Sequence, residues 1–340
     1  MGRPAISVVM PVYNGQDYVL DAVASIAEQS FEDWELLCVN DGSSDGTAEI
    51  LDWCVSQDSR IRVIHQRNTG LVGALNHGFD QARAELVMRM DHDDLALPGR
   101  MQRQYRFMQQ NSDCVVCGGA IMEMDSDGDL LGSSSLPLEH DNIVANLLHR
   151  RTGHFHPTTL IRADAFMRAG SYRDEYRHIE DHDLWLRLSK LGRLVNLPDV
   201  VLCYRLHAAS VCWTQADFRR EQMNALMEQA YTELDCEIPD GVIADATVKR
   251  QPAGPGKWAR AAARRSRYKT AWKHCRQLWG SDAAMSYKLR MTAEVGIRVA
   301  AGLSAGFAKA NPAENQREKA PQFPEWHRRF TAANCPAAAA

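Results

Sequence analysis

Met88-Arg89-Met90-Asp91-His92-Asp93-Asp94 is the stretch that decides how this chain is read. An apolar run from Leu86 to Met90 meets three carboxylates within four positions. The apolar part reads as a buried strand. In open α/β sheets, ligands collect in the crevice beyond the carboxyl ends of the strands. Hard divalent cations take oxygen ligands there, commonly one or two carboxylates together with substrate phosphates. If the chain stays extended, alternation puts Asp91 and Asp93 on one side and His92 on the other. The plainer reading is an acidic strand-to-helix turn in which Asp93 or Asp94 caps the next helix. Asp-x-Asp alone does not decide between them.

The chain before it adds three more units of the same kind. Ile6 to Met10 is a continuous apolar run, as in a strand covered on both faces. It ends at Pro11-Val12-Tyr13-Asn14-Gly15, and a helix follows from about Asp17 with Val19, Val23 and Ile26 on one face. Trp34 to Val39 is the second strand, and Asp45 or Thr47 can cap the helix after it. Ile61 to Ile64 is the third, and Asn68-Thr69-Gly70 opens a helix carrying Ala74, Leu75 and Phe79. Repeated β-then-α units imply a mainly parallel sheet with right-handed crossovers. Tyr13-Asn14, Asp41 to Asp45, Arg67-Asn68 and Asp91 to Asp94 all follow strands, so they share one edge of the sheet. An aromatic, several carboxylates and an Arg converging on one crevice suit a nucleotide. No G-x-G-x-x-G follows the first strand and no G-x-x-x-x-G-K-[ST] occurs, so dinucleotide and P-loop readings have no support.

Four motifs in this order carry a resemblance. They are Val9-Met10-Pro11-Val12-Tyr13-Asn14, Val39-Asn40-Asp41-Gly42-Ser43-Ser44-Asp45-Gly46-Thr47, Asn68-x-Gly70-x-x-x-Ala74-x-Asn76-x-Gly78 and Met90-Asp91-His92-Asp93-Asp94. Together they resemble family 2 of the glycosyltransferases, inverting enzymes of the GT-A fold, from about residue 5 to 210. The resemblance implies a Rossmann-like, mainly parallel sheet flanked by helices. It implies that Tyr13 packs on the base and Asp41 bonds its edge, with Pro11, Asn14, Arg67 and Asn68 completing the nucleotide site. Asp91 would hold the ribose or the metal and Asp93 the metal, Mn²⁺ or Mg²⁺. Asn40 departs from the family's usual Asp.

Residues 150 to 210 carry the other half. His178-Ile179-Glu180-Asp181-His182-Asp183-Leu184-Trp185-Leu186-Arg187 starts a helix whose apolar face is Leu184, Leu188 and Leu191. Acids at its N-terminus are favoured by the helix dipole whatever their role. By resemblance to the family's E-D-x-D-L-W-x-R pattern, Asp181 is the general base, Glu180 assists and Asp183 is structural. His207, in Tyr204-Arg205-Leu206-His207, reads as a cation ligand or diphosphate contact, or as a satisfied histidine below the site. Met101, Tyr105 and Met108, in a helix starting at Pro98, read as core. Asp125 to Asp129 reads as a hairpin turn, because a calcium loop would need Glu where Leu136 stands.

The domain reading is a catalytic unit over 1–215, with a nucleotide-sugar half at 1–125 and an acceptor half at 126–215. A helical C-terminal extension follows over 216–310, with a linker at 251–256 and a disordered tail over 311–340. Residues 217 to 247 read as helix. Lys257 to Trp279 reads as one basic helix interleaved with aromatics, suited to an anionic membrane surface. With 340 residues and a formal charge of −4, the chain does not read as a nucleic-acid binder. No apolar run reaches the ~18 residues of a membrane span. Scattered cysteines in apolar runs, Cys114 and Cys117 included, read as buried thiols of a reduced, cytoplasmic protein, peripheral on the inner face of the membrane. The expected reaction moves a sugar from a nucleoside-diphosphate sugar, foremost a UDP-sugar, to a glycan or lipid-linked saccharide. The alternative is a catalytically silent nucleotide- or glycan-binding module on the same fold.

Overall fold

The computed structural model describes residues 2–206, 216–243, 254–264 and 267–306. β1 (Ile6–Val12), α1 (Val19–Ala27), β2 (Trp34–Asp41), α2 (Thr47–Gln57), β3 (Ile61–Gln66), α3 (Gly70–Asp80) and β4 (Leu86–Arg89) alternate as the apolar runs predict. The period-two alternation of β1 feeds two cores. Ile6, Val8 and Met10 pack with Val19, Val23 and Ile26 of α1 and with Ile50, Leu51 and Cys54 of α2. Val9, with Leu37 and Val87 on its neighbours, packs against Val72, Leu75 and Phe79 of α3. A strand covered on both faces is apolar at nearly every position, and β1 is buried throughout, with Ser7 its one polar side chain. Gly78 lets α3 lie close, since a Cβ there would sit 2.4 Å from Val9 Cγ1.

Five more strands complete the sheet: β5 (Leu95–Ala96), β6 (Cys114–Asp125), β7 (Leu130–Ser134), β8 (Leu160–Arg162) and β9 (Arg193–Leu206). The order is β3-β2-β1-β4-β8-β6-β9-β5, with β7 on β6. β1 pairs parallel with β2 and β4, and β2 with β3. β8 is antiparallel to both β4 and β6, so β6 and its parallel partner β9 run with β4. The sheet is therefore mostly parallel, and the crevice falls where the order reverses, between β1 and β4.

Among the described residues eight more α-helices follow: α4 (Arg100–Gln110), α5 (His140–Leu148), α6 (Ala163–Arg168), α7 (Glu180–Leu188) and α8 (Ala216–Glu233), then a C-terminal group of α9 (Pro255–Arg264), α10 (Tyr268–Trp279) and α11 (Met285–Gly306). Met101 and Met108 are core, as expected. The helix there begins at Arg100 rather than Pro98, because Gly99 turns at φ 76° before it. The helix expected over 217–247 ends at Glu233 and gives way to turns. The single basic helix expected over Lys257–Trp279 is two, α9 and α10. The expected tail over 311–340 and residues 251–253 of the expected linker lie outside the described residues.

The C-terminal helices share a small-residue core, Ala259, Ala262, Ala263, Ala271, Cys275 and Val295, closed by Leu131 of β7. Lys273 fixes them to the β6–β7 hairpin. Its Nζ lies 2.6 Å from Asp125 Oδ2, 2.8 Å from Asp127 Oδ2 and 2.5 Å from Asp129 Oδ2. The acidic hairpin turn thus holds an ammonium. Cys114 and Cys117 are buried free thiols.

Candidate active site

The first loops of the sheet are zipped together. The amide of Asn14 donates to Ser43 Oγ (2.9 Å), that of Ser44 to Asn14 Oδ1 (2.9 Å), and that of Gly15 to Thr47 Oγ1 (2.8 Å). Asn14 takes φ 49°, a left-handed turn that Asn tolerates. Asp45 Oδ1 accepts from the Thr47 amide and hydroxyl at the head of α2 (3.1 and 2.5 Å). This frame leaves Tyr13 50% exposed at the end of β1. A tyrosine presented that way offers its face to a planar ring. Pro11 is covered, and its carbonyl lies 3.2 Å from His92 Nδ1, which ties β1 to the acidic turn.

Asp41 is built into the frame more deeply than its sequence position suggests. It is buried at the end of β2. Oδ1 accepts from Gln66 Nε2 (2.8 Å), the Thr69 amide (2.8 Å) and Thr69 Oγ1 (3.2 Å), and Oδ2 from the Gly70 amide (2.9 Å). It satisfies the exposed amides at the head of α3, which has no cap from its own N-cap side chain. Asp41 therefore caps α3 from outside the helix. Arg67 and Asn68 are exposed on the same loop. Asn76 reaches from α3 to the acceptor half, its Nδ2 donating to the Tyr172 carbonyl (2.9 Å) and its Oδ1 accepting from the Tyr172 amide (3.0 Å).

The alternation expected beyond Met90 does not hold. The chain leaves β4 at Arg89 and turns, so Asp91, Asp93 and Asp94 each bring an oxygen to one place, all within 4.8 Å of one another. Neither Asp93 nor Asp94 caps a helix, because α4 starts later. Arg89 is buried and its Nη1 sits 2.5 Å from Asp91 Oδ2. Asp94 is buried, its Oδ1 accepting from the Arg205 amide (2.8 Å) while Oδ2 has no partner among the described residues. Burial, then Asp93 and Asp91, hold the Asp94 carboxyl well above the usual carboxylate range. Three converging carboxylates with an orphaned buried oxygen are the donor set a hard divalent cation requires. Asp94 was legible only as a cap. Arg205 ties this turn to β9: its Nε donates to the Asp93 carbonyl (2.8 Å) and its guanidinium lies 4.5 Å over the Tyr18 ring. Arg100 closes the turn from behind, donating to the carbonyls of Arg89 (3.0 Å) and Pro157 (2.8 Å). Arg89, Arg100 and Arg205 had no functional signal in the sequence. His207 lies outside the described residues.

Across the crevice, α7 begins at Glu180. Asp181 is partly exposed and its Oδ1 accepts from the His182 amide (2.8 Å). Glu180 is buried with Oε2 unpartnered among the described residues, and burial, then Asp181, push its carboxyl up to about 7. Asp183 is structural, paired with Arg173 and with Arg187 (2.6 Å to the latter). Tyr172, whose hydroxyl is 2.7 Å from His156 Nε2, is buried near both acidic groups. Burial raises its pKa, and it feels Arg89, Glu180, Asp181 and Asp91 together. The acidic turn and the α7 acids therefore bear on one buried tyrosine.

A family model described as "Glycosyl transferase family 2" matches residues 7–174. EpsE of Bacillus subtilis, a glycosyltransferase by name, is 30% identical over 243 residues, 70% of this chain and 85% of that one. TarS 1–349 of S. aureus in complex with UDP has a TM-score of 0.53 at 16% identity, covering 90% of this chain and 92% of that one. PcManGT, a mannosyltransferase from Pyrobaculum calidifontis in complex with GDP-Man and Mn²⁺, has a TM-score of 0.50 at 14% identity over 100% of this chain and 87% of that one. At those identities the likeness is one of fold. A Haemophilus influenzae glycosyltransferase is matched over 66% of its length and a Rickettsia felis one over 35%, so this chain spans only part of the length of those relatives.

Proposed function

The chain belongs to glycosyl transferase family 2, and from that premise we propose that it moves a sugar, with inversion, from a UDP-sugar to a hydroxyl of a glycan or lipid-linked saccharide. Its fold is GT-A. The observation that carries the reading is the convergence of Asp91, Asp93 and Asp94 on one place, with Tyr172 in the field of both Asp91 and the α7 acids Glu180 and Asp181. The UDP of TarS and the GDP-Man and Mn²⁺ of PcManGT support a nucleotide donor and a divalent ion here.

Tyr13 receives the base, with Asp41, Asn14, Pro11, Arg67 and Asn68 framing it. Asp91, Asp93 and Asp94 hold Mn²⁺ or Mg²⁺, with His207 as the proposed further ligand. A cation held there would supply charge neutralisation to the diphosphate leaving group. The acceptor oxygen attacks the anomeric carbon as the carbon–phosphate-oxygen bond breaks, the diphosphate keeps the electron pair, and the acceptor proton passes to Asp181. One base and no covalent nucleophile give inversion, whereas retention would need a carboxylate placed to form a glycosyl-enzyme. Glu180, its carboxyl pushed up to about 7 by burial, carries less charge near neutral pH than an ordinary carboxylate and supports the base as a partly protonated neighbour. No helix of the described residues is long and apolar enough to cross a membrane. We place the protein in the cytoplasm, at an anionic membrane surface, where a lipid-linked acceptor is presented.

The test is Asp181→Asn. It keeps the helix head and removes the proton acceptor, so transfer should fall by at least ~100-fold with donor affinity unchanged. Transfer at the wild-type rate would refute Asp181 as base.

A further inference from the structure

The solvent face of the C-terminal helices has a composition that the sugar-transfer site does not explain. Along α10, Lys269, Trp272, Arg276 and Trp279 are all exposed. Their spacing of three, four and three puts them on one stripe of the helix. The opposite stripe, Ala271, Cys275 and Leu278, is buried. Trp272 is 39% exposed and Trp279 42%. The stripe continues onto α11. Trp279 Nε1 donates to Thr292 Oγ1 (2.9 Å), and beside Thr292 runs a ridge at helical spacing, Met285, Leu289, Ala293 and Ile297. Met285, Leu289 and Ile297 are 58%, 55% and 70% exposed. Single exposed apolar residues need no explanation, but a contiguous patch does.

Charge selects the occupant. From Gly254 to Ser281 the chain carries eight Lys and Arg and no Asp or Glu, within a protein whose net charge is −4. Lys273 is turned inward to the hairpin acids, while Lys257, Arg264, Lys269 and Arg276 face solvent. Tryptophans flanked by cations, beside an aliphatic ridge, are the mixture that lies at the headgroup level of a bilayer. A polyanion such as RNA would use the cations and leave the ridge uncovered.

We propose that the Lys269-Trp272-Arg276-Trp279 stripe of α10 and the Met285-Leu289-Ile297 ridge of α11 form one docking surface for an anionic lipid bilayer. This deepens the proposed membrane placement and does not depend on the donor site. α10 is held by Lys273 to the β6–β7 hairpin, and Arg205 joins that hairpin to the acidic turn by donating to the Ser126 carbonyl (3.0 Å). Docking by this face therefore holds the crevice in a fixed relation to the lipid.

The experiment is co-sedimentation of the full chain with vesicles of phosphatidylcholine alone and of phosphatidylcholine mixed with the anionic lipid phosphatidylglycerol. Nucleotide release from a soluble sugar nucleotide is measured in parallel. The wild type should pellet with the anionic vesicles at least about tenfold better than with neutral ones, and less in high salt. Lys269→Glu/Arg276→Glu and Trp272→Ala/Trp279→Ala, two independent pairs, should each lower the partition at least about tenfold and leave nucleotide release unchanged. Release absent throughout with pelleting intact would refute the donor reading alone and leave this surface standing. No pelleting of an active wild type, equal pelleting with neutral vesicles, wild-type pelleting of both variant pairs, or retention on RNA without vesicle binding would each overturn it.

Discussion

Glu180→Gln separates burial from catalysis at the α7 head. Glu180 has an ordinary pKa of 4.5, and in the folded protein burial, reinforced by Asp181, carries it up to about 7. A raised carboxyl binds more protons folded than unfolded, so its contribution is present below the unfolded pKa and is lost as pH rises through the folded one. The gap of about 2.5 units corresponds to ~3 kcal/mol at ~1.4 kcal/mol per unit. Glutamine stays neutral and removes that dependence. Wild-type stability should therefore fall relative to Glu180→Gln between pH 4.5 and 7.5, by up to ~3 kcal/mol. Any fixed cost of placing the amide shifts the variant's curve without changing this slope. Urea unfolding of both proteins at half-unit pH steps reads the difference directly. Parallel stability curves, or a variant that loses stability faster than wild type as pH rises, would refute the reasoning. Because Asp181 is retained, the rate should fall far less than in Asp181→Asn.

Other outcomes follow from the same geometry. Tyr13→Ala removes an exposed ring, so calorimetry should show UDP affinity down by about tenfold, in the ~1–3 kcal/mol range of base stacking, with an unchanged melting temperature. Asp41→Ala should weaken UDP binding and also cost ~1–2 kcal/mol of stability, because it removes the acceptor at the head of α3; an unchanged melt would contradict the capping role. Lys273→Met leaves three carboxylates without their ammonium and should cost ~1–3 kcal/mol. Hydrogen exchange should rise across α9 to α11, and exchange at the wild-type rate would show that the Lys273 contact does not hold these helices.

Much of this was legible in the sequence for definite reasons. A strand covered on both faces is largely apolar, so β1, β2 and β4 stood out, and the polar residues after them had to share an edge. The Asp125–Asp129 hairpin also follows from local pattern, and Asp183 as a structural acid follows from the family resemblance. The turn at Asp91 was misread because alternation holds only while the chain stays extended. The buried polar set was invisible for another reason. Arg100 pairs with a carbonyl 57 residues away, Asp94 with an amide 111 away and Lys273 with Asp125 148 away. Nothing local marks a charged residue as buried when its partner is that distant. β5 has two residues, too few for any periodicity. The α9–α10 break falls inside a uniformly basic, helix-favouring run, where composition does not change.

The central claim is that the acidic turn holds a divalent ion which makes a sugar nucleotide a donor. The most direct measurement is nucleotide release from a panel of UDP- and GDP-sugars, with Mn²⁺, with Mg²⁺ and with chelator, for wild type and Asp93→Ala. The account predicts release from at least one UDP-sugar by wild type, its loss with chelator, and its loss in a folded Asp93→Ala at every metal concentration. Release that persists in chelator, or an Asp93→Ala protein that turns over like wild type, would contradict it.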